Sequence, residues 1–72
     1  YDLFPHMTAQ QNVQIVLEAR FKNLEDRQIQ IAKLEEAVKL LRLEKCWNTK
    51  AENLSGGEKQ RTALLRAVFS NP

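Results

Sequence analysis

The residues best suited to chemistry lie in one polar stretch, from Leu54 to Arg61. Ser55, Gly56 and Gly57 stand where a helix is predicted to begin, and the first backbone N–H groups of a helix have no acceptor within it. Such groups, together with the helix dipole, favour bound anions. The two glycines let a phosphate approach the main chain and allow dihedral angles that other residues resist. A phosphate site is therefore one interpretation, with the Ser55 hydroxyl as an added donor.

A second interpretation of the same residues needs no ligand. Ser55 and Glu58 have the spacing of a capping box, in which each side chain bonds the other residue's backbone N–H. A pair of glycines before a helix is also ordinary turn chemistry. Glu58 itself disfavours a phosphate, because a carboxylate in the first turn repels an anion unless its side chain folds back to the cap. Both interpretations stay open at this point.

Two helices are predicted to precede this stretch. Thr8 and Gln11 have the capping-box spacing, so the first helix is expected over residues 9 to about 20. Its apolar stripe is predicted to be Val13, Val16 and Leu17. The second helix is expected from Leu24 to about Leu43, after a cap at Asn23. Its buried face is predicted to comprise Leu24, Ile31, Leu34, Ala37, Val38, Leu40 and Leu41.

The last predicted helix begins at residues 55 to 57 and carries the polar stretch at its start. Before it, residues 44 to 48 are expected to form a short turn, and residues 49 to 53 a polar surface loop. The helix should end before Asn71-Pro72. Its buried stripe is predicted to be Leu64, Leu65, Ala67 and Val68. No strand pattern is present, so the predicted fold is all-α, a small unit of three or four helices.

Composition bounds the class of protein. The 72 residues suffice for one small domain, and a net charge of +2 with interspersed signs argues against nucleic acid as a partner. The single cysteine, Cys46, can form neither an internal disulfide nor a paired-thiol metal site. No apolar run approaches the roughly 20 residues of a membrane span. The chain lacks an initiator Met and a signal-peptide pattern, so it is expected to be a piece of a longer protein.

Two segments carry a resemblance to a known family. Leu54-Ser55-Gly56-Gly57-Glu58-Lys59-Gln60-Arg61 resembles the signature motif of the ATP-binding cassette (ABC) ATPases. Residues 63 to 67 and Asn71-Pro72 resemble the family's continuation after that motif. Upstream, Leu3-Phe4-Pro5-His6-Met7-Thr8, followed by Asn12-Val13, is similar to the segment after the Q-loop glutamine in importer-type members. The two matches come in family order and span nearly the whole chain.

The resemblance implies a single helical subdomain of an ABC transporter ATP-binding protein over residues 1–72. Within it, residues 1–7 would be the segment after the Q-loop, 8–53 the helices and connecting loops, and 54–70 the signature motif with its helix. The 72 residues contain no G-x-x-x-x-G-K-[ST] loop and no apolar strand that ends in an acidic pair. They are therefore not expected to hydrolyse ATP by themselves or to hold a catalytic residue or metal, whereas the parent protein would be an ATP hydrolase.

A nucleotide contact between subunits also follows from the resemblance. In the family two nucleotide-binding domains close head to tail, and each signature motif meets the γ-phosphate of ATP, bound with Mg²⁺, on the other. By match of position, Ser55 would donate its hydroxyl and Gly57 its backbone N–H, and Gly56 would allow close approach. Arg61 is expected to be structural and to point away from the anion. The residues assigned to the ATP contact are Leu54, Ser55, Gly56, Gly57, Glu58 and Gln60.

The partners implied are a second nucleotide-binding domain and a transmembrane permease subunit. Leu3 and Phe4 are the candidate docking residues for the permease, and the protein would lie peripherally on the cytoplasmic side of the membrane. The N-terminal match favours an importer, with amino acids or other small polar solutes as cargo, that couples ATP binding and hydrolysis to transport. Two alternatives are a non-transport ABC ATPase and a small helical interaction module without nucleotide contact.

Overall fold

Three α-helices make up most of the computed structural model, which describes residues 2–70. They are α1 (Ala9–Arg20), α2 (Leu24–Leu40) and α3 (Gly56–Ser70), and two 3₁₀ turns, Glu44–Cys46 and Ala51–Asn53, connect α2 to α3. Within residues 2–70 the strand-like pairing is limited to an isolated bridge between Thr8 and Lys50. The all-α prediction is therefore confirmed. The predicted helix stop at Asn71-Pro72 lies outside the described residues.

The first two helices begin at their predicted caps. Thr8 Oγ1 accepts the Gln11 N–H at 3.1 Å, and the Gln11 side chain accepts the Thr8 N–H at 2.9 Å. Asn23 Oδ1 accepts the N–H groups of Glu25 and Asp26. A cap of this kind contributes about 1 kcal/mol, so local sequence sets both helix starts.

The end of α2 differs from the prediction, because the helix stops at Leu40 rather than near Leu43. Arg42 has a left-handed backbone with φ of 56°. The turn is a Schellman motif, in which the Leu43 N–H donates to the Val38 carbonyl at 2.9 Å and the Arg42 N–H to the Lys39 carbonyl at 3.1 Å. A left-handed arginine costs roughly 1–2 kcal/mol, which the full burial of Leu43 offsets. Since no glycine marks the turn, the pattern of residues does not reveal it.

The hydrophobic core lies mainly between α1 and α3, with α2 packed more lightly against α1. Leu54, directly before the candidate phosphate site, belongs to this core, so packing fixes where α3 begins. Cys46 is buried as a packing residue, and Trp47 packs against the same cluster, as predicted. The buried apolar residues are Ala9, Val13, Leu17, Leu34, Val38, Leu43, Cys46, Ala51, Leu54, Leu65 and Phe69.

The predicted buried face of α2 is wrong at two positions, whereas Ile31, Ala37 and Leu41 are partly buried against the core. Leu34 and Val38 are buried as predicted, but Leu24 and Leu40 are 65% and 82% exposed. Leu40 lies two residues after Val38, which places it about 200° further around the helix, on the opposite side. Among the described residues no helix is both long enough and apolar enough to cross a membrane.

The predicted stripe of α3 is also wrong in part. Leu65 is buried, whereas Leu64, Ala67 and Val68 are exposed. The buried positions are instead Thr62, Leu65 and Phe69. Leu64 and Val68 each precede a buried residue by one position, so they face about 100° away from the core side.

The segment before α3 is more ordered than predicted. Residues 49–53 were expected to form a polar surface loop, but Ala51 is buried and begins a 3₁₀ turn. Its backbone N–H donates to the Met7 carbonyl at 2.8 Å. The approach to α3 is therefore held against the N-terminal loop, which is defined here as residues 2–7.

Candidate functional site

The start of α3 is a complete capping box. Ser55 Oγ accepts the Glu58 N–H at 3.2 Å, and the Glu58 carboxylate accepts the Ser55 N–H at 2.8 Å. The Glu58 side chain thus folds back to the cap, which is the arrangement that lets an anion approach a helix start bearing a carboxylate. Ser55 Oγ is an acceptor here, so its own hydroxyl proton can be donated, either to the nearby Glu58 carboxylate or to a ligand.

Hydrogen bonding stabilises the ionised form of Glu58. The Ser55 backbone N–H, followed by the Ser55 side chain, holds the pKa of the Glu58 carboxyl below its usual range. The neighbouring Cys46 thiol is affected in the opposite direction: burial, followed by the charge of Glu58, raises its pKa. At neutral pH Glu58 is therefore an engaged carboxylate, and Cys46 is a neutral thiol.

The first N–H groups of α3 differ from those of α1. At the start of α1, the Ala9 N–H donates to the Thr49 carbonyl at 3.0 Å and the Gln10 N–H to the Trp47 carbonyl at 2.9 Å. The equivalent groups of α3 belong to Gly56 and Gly57, and within residues 2–70 no hydrogen bond of either group is found. The positive end of the α3 dipole and these two N–H donors are therefore exposed to solvent.

The glycines are not needed for backbone conformation. Neither Gly56 nor Gly57 has a positive φ, so the dihedral freedom that glycine allows is not used here. A Cβ added at Gly56 would meet no atom within 4 Å, whereas one at Gly57 would lie 2.9 Å from Arg61 Nη1. At Gly57 the missing side chain makes room for an arginine, but at Gly56 the fold leaves open space.

Arg61 does not point away from the helix start, contrary to expectation. Its guanidinium reaches back to Gly57, because helical side chains lean toward the N-terminus of their helix. Arg61 Nε is shielded from solvent and has no hydrogen-bond partner among the described residues. The arginine therefore adds positive charge beside Gly57.

The predicted site residues do not all share one surface. We call the exposed residues Ser55 to Gly57 the signature tip. Leu54 is buried beneath it and anchors it to the core. Glu58 is half-buried at the cap, and Gln60 is exposed on the next turn. The structure thus brings the three residues of the tip together, with Leu54 and Glu58 as their support.

The candidate docking residues lie in the N-terminal loop. Phe4 is 45% exposed, and Leu3 is half-buried against the core. His6 is exposed in the same loop. Two side chains to which the sequence analysis assigned no role of their own, Asn12 and Arg66, hold this loop in place. Asn12 is a fully buried polar residue on the core face of α1, and that position beside Val13 is the only signal that could have revealed its role.

The described part of the chain has no arrangement of side chains suited to binding a metal ion. Between residues 2 and 70, no three His, Cys, Asp or Glu side chains are grouped so that they could hold a metal ion. What the site offers is two backbone N–H donors, a hydroxyl and a nearby guanidinium. These groups suit an oxyanion such as a phosphate.

The helical fold and this tip define a class of protein, and comparison confirms it. The family model described as ABC transporter matches residues 1–72, so the chain belongs to the ABC transporter family. The chain is 39% identical over 72 residues to the protein named Fe(3+) ions import ATP-binding protein FbpC from Fusobacterium nucleatum. That match covers 100% of this chain and 19% of the relative, so the chain spans about a fifth of that relative's length.

Proposed function

We propose that this chain is the helical subdomain of the ATP-binding subunit of an ABC importer, and that its signature tip contacts the γ-phosphate of ATP bound to the opposite subunit. Ser55 donates its hydroxyl, Gly57 donates its backbone N–H, and Gly56 leaves room for the phosphate. Leu54, Glu58 and Gln60 complete the motif. The contact forms as two subunits close head to tail and is lost when the γ-phosphate leaves, so the pair can reopen.

The observation that supports this proposal best is a glycine that the fold does not require. Glycine is less favourable than alanine in a helix interior by about 1 kcal/mol, and at the first position of α3, which Gly56 occupies, it brings no stabilising contact of its own. Gly56 has no positive φ, and a Cβ there would meet nothing within 4 Å. Neither conformation nor packing within the chain accounts for it. An anion that must approach the main chain from outside does account for it.

The charges around the tip also support a phosphate. The Arg61 guanidinium lies beside Gly57, and Lys59 is half-buried on the first turn. The negative charge of Glu58 is engaged by the Ser55 N–H at 2.8 Å. Positive groups therefore dominate the approach to the free N–H donors.

The whole protein is proposed to couple ATP binding and hydrolysis to import, at the cytoplasmic side of the membrane. Its partners would be a second nucleotide-binding domain and a permease subunit that docks on Leu3 and Phe4. The N-terminal resemblance suggests amino acids or other small polar solutes, whereas the relative is named for Fe(3+) import. We propose the broader class that includes both kinds of cargo, namely import of a small solute or ion.

Mg²⁺ accompanies ATP in this proposal but is not held by these residues. The described part of the chain has no group of acidic, histidine or cysteine side chains arranged for a metal. The ion would add charge neutralisation to the phosphates on the opposite subunit. The described residues of this chain supply hydrogen-bond donors and nearby positive charge to the γ-phosphate, and no ligand to the metal.

The test is Ser55→Asp in the full-length subunit assembled with its permease. Aspartate caps a helix about as well as serine, so α3 should keep its start. A carboxylate about 4 Å from the γ-phosphate costs about 4 kcal/mol at an effective dielectric constant of 20, or roughly a thousandfold in ATP turnover. Mg·ATP binding to separate subunits should be unchanged, because the tip contacts only nucleotide on the other subunit.

Thr8→Asp is the matched control, since Thr8 heads the other capping box of the chain. It makes the same change of charge at a helix start whose first two N–H groups are already bonded. ATP turnover of this control should stay within about threefold of wild type. If Ser55→Asp also stays within that range, the tip makes no nucleotide contact and the chain is an interaction module.

A further inference from the structure

The N-terminal loop is held by a buried side chain from α1. Asn12, with no exposed surface, accepts the Phe4 N–H at 2.7 Å and donates to the Phe4 carbonyl at 3.1 Å. Its amide also lies within hydrogen-bond distance of the carbonyls of Met7 and Thr8, at 3.3 and 3.0 Å. These bonds fix the backbone of the loop, but they leave the Phe4 ring free to turn.

Arg66 of α3 holds the same loop from another side. Its Nη1 donates to the Asp2 carbonyl at 2.6 Å, and its Nε donates to the Asn12 carbonyl at 3.2 Å. The guanidinium carbon lies 4.9 Å from the centre of the Phe4 ring, within the range of a cation–π contact. One side chain thus joins α3, α1 and the loop, and it covers one face of the exposed ring.

The loop is bonded to the approach to the signature tip as well. The Ala51 N–H donates to the Met7 carbonyl at 2.8 Å, and the Glu52 N–H donates to the Pro5 carbonyl at 3.2 Å. Ala51 and Glu52 belong to the 3₁₀ turn that directly precedes Leu54. The loop is therefore tied to α3 at two places, once before the tip and once through Arg66.

We propose that Arg66 is a positioning residue that makes the N-terminal loop and α3 move as one body, so that a permease segment packed on Phe4 sets the orientation of the signature tip. The partner surface that fits is an apolar side chain, because the Phe4 ring is 45% exposed and its other face carries the guanidinium. This inference rests on the proposed function, which places permease docking on Leu3 and Phe4.

The contribution of Arg66 is large because its bonds involve a charged donor. Hydrogen bonds from a guanidinium are roughly twice as strong as neutral ones. Without Arg66, the Asp2 end of the loop and the Phe4 ring lose their tie to α3. The Asn12 carbonyl also loses its bond from Arg66, so the Asn12 bonds to Phe4 are left without this support and open more often. A push on the ring would then rotate Phe4 instead of displacing α3.

The experiment compares Arg66→Gln with Arg20→Gln in the full-length subunit and in the assembled transporter. Arg20 is a matched control, since its guanidinium also stacks on a phenylalanine, Phe21, at 4.6 Å, at the far end of α1. Two quantities are measured: amide hydrogen exchange of Phe4 and Met7, and the ratio of permease-stimulated to basal ATP turnover. Arg66→Lys keeps the positive charge, and both quantities are measured on this variant if Arg66→Gln does not fold.

For Arg66→Gln we expect exchange at Phe4 to rise about tenfold, as loss of one charge-assisted bond implies, and the stimulation ratio to fall about tenfold. Arg66→Lys should lie between this variant and wild type, and Arg20→Gln should match wild type in both. Unchanged exchange and ratio in Arg66→Gln would overturn the inference. So would faster exchange over the whole chain with basal and stimulated turnover lowered in proportion, because that pattern describes a structural role only.

Failure of this inference is separable from failure of the proposed function. If Ser55→Asp abolishes turnover while Arg66→Gln frees the loop without changing the stimulation ratio, the nucleotide contact stands and the mechanical link does not. If Ser55→Asp leaves turnover intact, the proposed function itself fails. Each pair of results therefore assigns the error to one of the two statements.

Discussion

Asn12→Asp is the sharpest test of how the N-terminal loop is held. The substitution keeps size and shape but replaces the amide nitrogen, which lies 3.0 to 3.3 Å from three backbone carbonyls, with an oxygen. An amide nitrogen has two protons, so about two hydrogen bonds are lost, each worth roughly 1 kcal/mol. The oxygen that accepts the Phe4 N–H at 2.7 Å is kept. The loss of donors alone therefore destabilises the chain by about 2 kcal/mol.

The new carboxyl adds a dependence on pH. Asn12 has no exposed surface, and burial beside carbonyl oxygens raises the pKa of a carboxyl above its unfolded value of about 3.9. Because the folded-state pKa is raised, the contribution of this carboxyl to the stability of the variant is fully present below the unfolded pKa and is lost as pH rises through the folded pKa. A folded-state pKa about two pH units above the unfolded one costs about 3 kcal/mol at pH 7, which brings the total loss near 5 kcal/mol.

Urea denaturation followed by far-UV circular dichroism measures this difference across pH values from about 4 to 8. Asn48→Asp is the matched control, because Asn48 is exposed and the same chemical change there meets solvent. Relative to wild type at each pH, the Asn12 variant should lose stability as pH rises, and the Asn48 variant should not. Parallel curves for the two variants would refute the hydrogen-bonding role assigned to Asn12.

Two further predictions concern α3. Thr62 is fully buried, and its Oγ1 has no hydrogen-bond partner among the described residues. Thr62→Val should therefore raise the free energy of unfolding by about 1 kcal/mol, measured by urea denaturation. A lower free energy of unfolding would show that the hydroxyl is bonded. The pKa of Glu58 is lowered because its carboxylate accepts the Ser55 N–H. The contribution of this carboxylate to the free energy of unfolding is therefore present above the unfolded pKa and is lost as pH falls through the folded pKa. Glu58→Gln should therefore lose less stability than wild type between pH values of about 5 and 3, and equal losses would contradict this account.

Local signals account for the parts of the fold that the sequence predicted. The caps at Thr8, Asn23 and Ser55 each depend on residues within three positions of one another. A helix start of this kind is decided by nearby hydrogen bonds. The helix start within the polar stretch Leu54 to Arg61 was predictable for the same reason, and the all-α class from the absence of a strand pattern.

The misplaced apolar stripe shows where periodicity stops being informative. α3 has two apolar sides, one through Leu64 and Val68 and one through Leu65 and Phe69. The spacing of both pairs is identical, so the period of the pattern identifies a helix without selecting the side that faces α1. Packing decides it, and in this chain the Leu65 side is buried.

Long-range contacts were not predictable at all. Arg66 meets Asp2 and Asn12 across 64 and 54 positions of the chain. In the sequence Arg66 is one charged residue between two apolar groups, which resembles an ordinary solvated side chain. Only the close packing of α1 against α3 brings it to the N-terminal loop.

The two capping boxes of the chain show why a motif does not by itself define a site. Thr8 with Gln11 and Ser55 with Glu58 make the same pair of hydrogen bonds. At α1 the distant residues Trp47 and Thr49 supply carbonyls to the next two N–H groups, and the helix start is closed. At α3 those groups belong to glycines that face outward. The capping box sets where each helix begins, but the open backbone after it is what gives the α3 start its capacity to bind an anion.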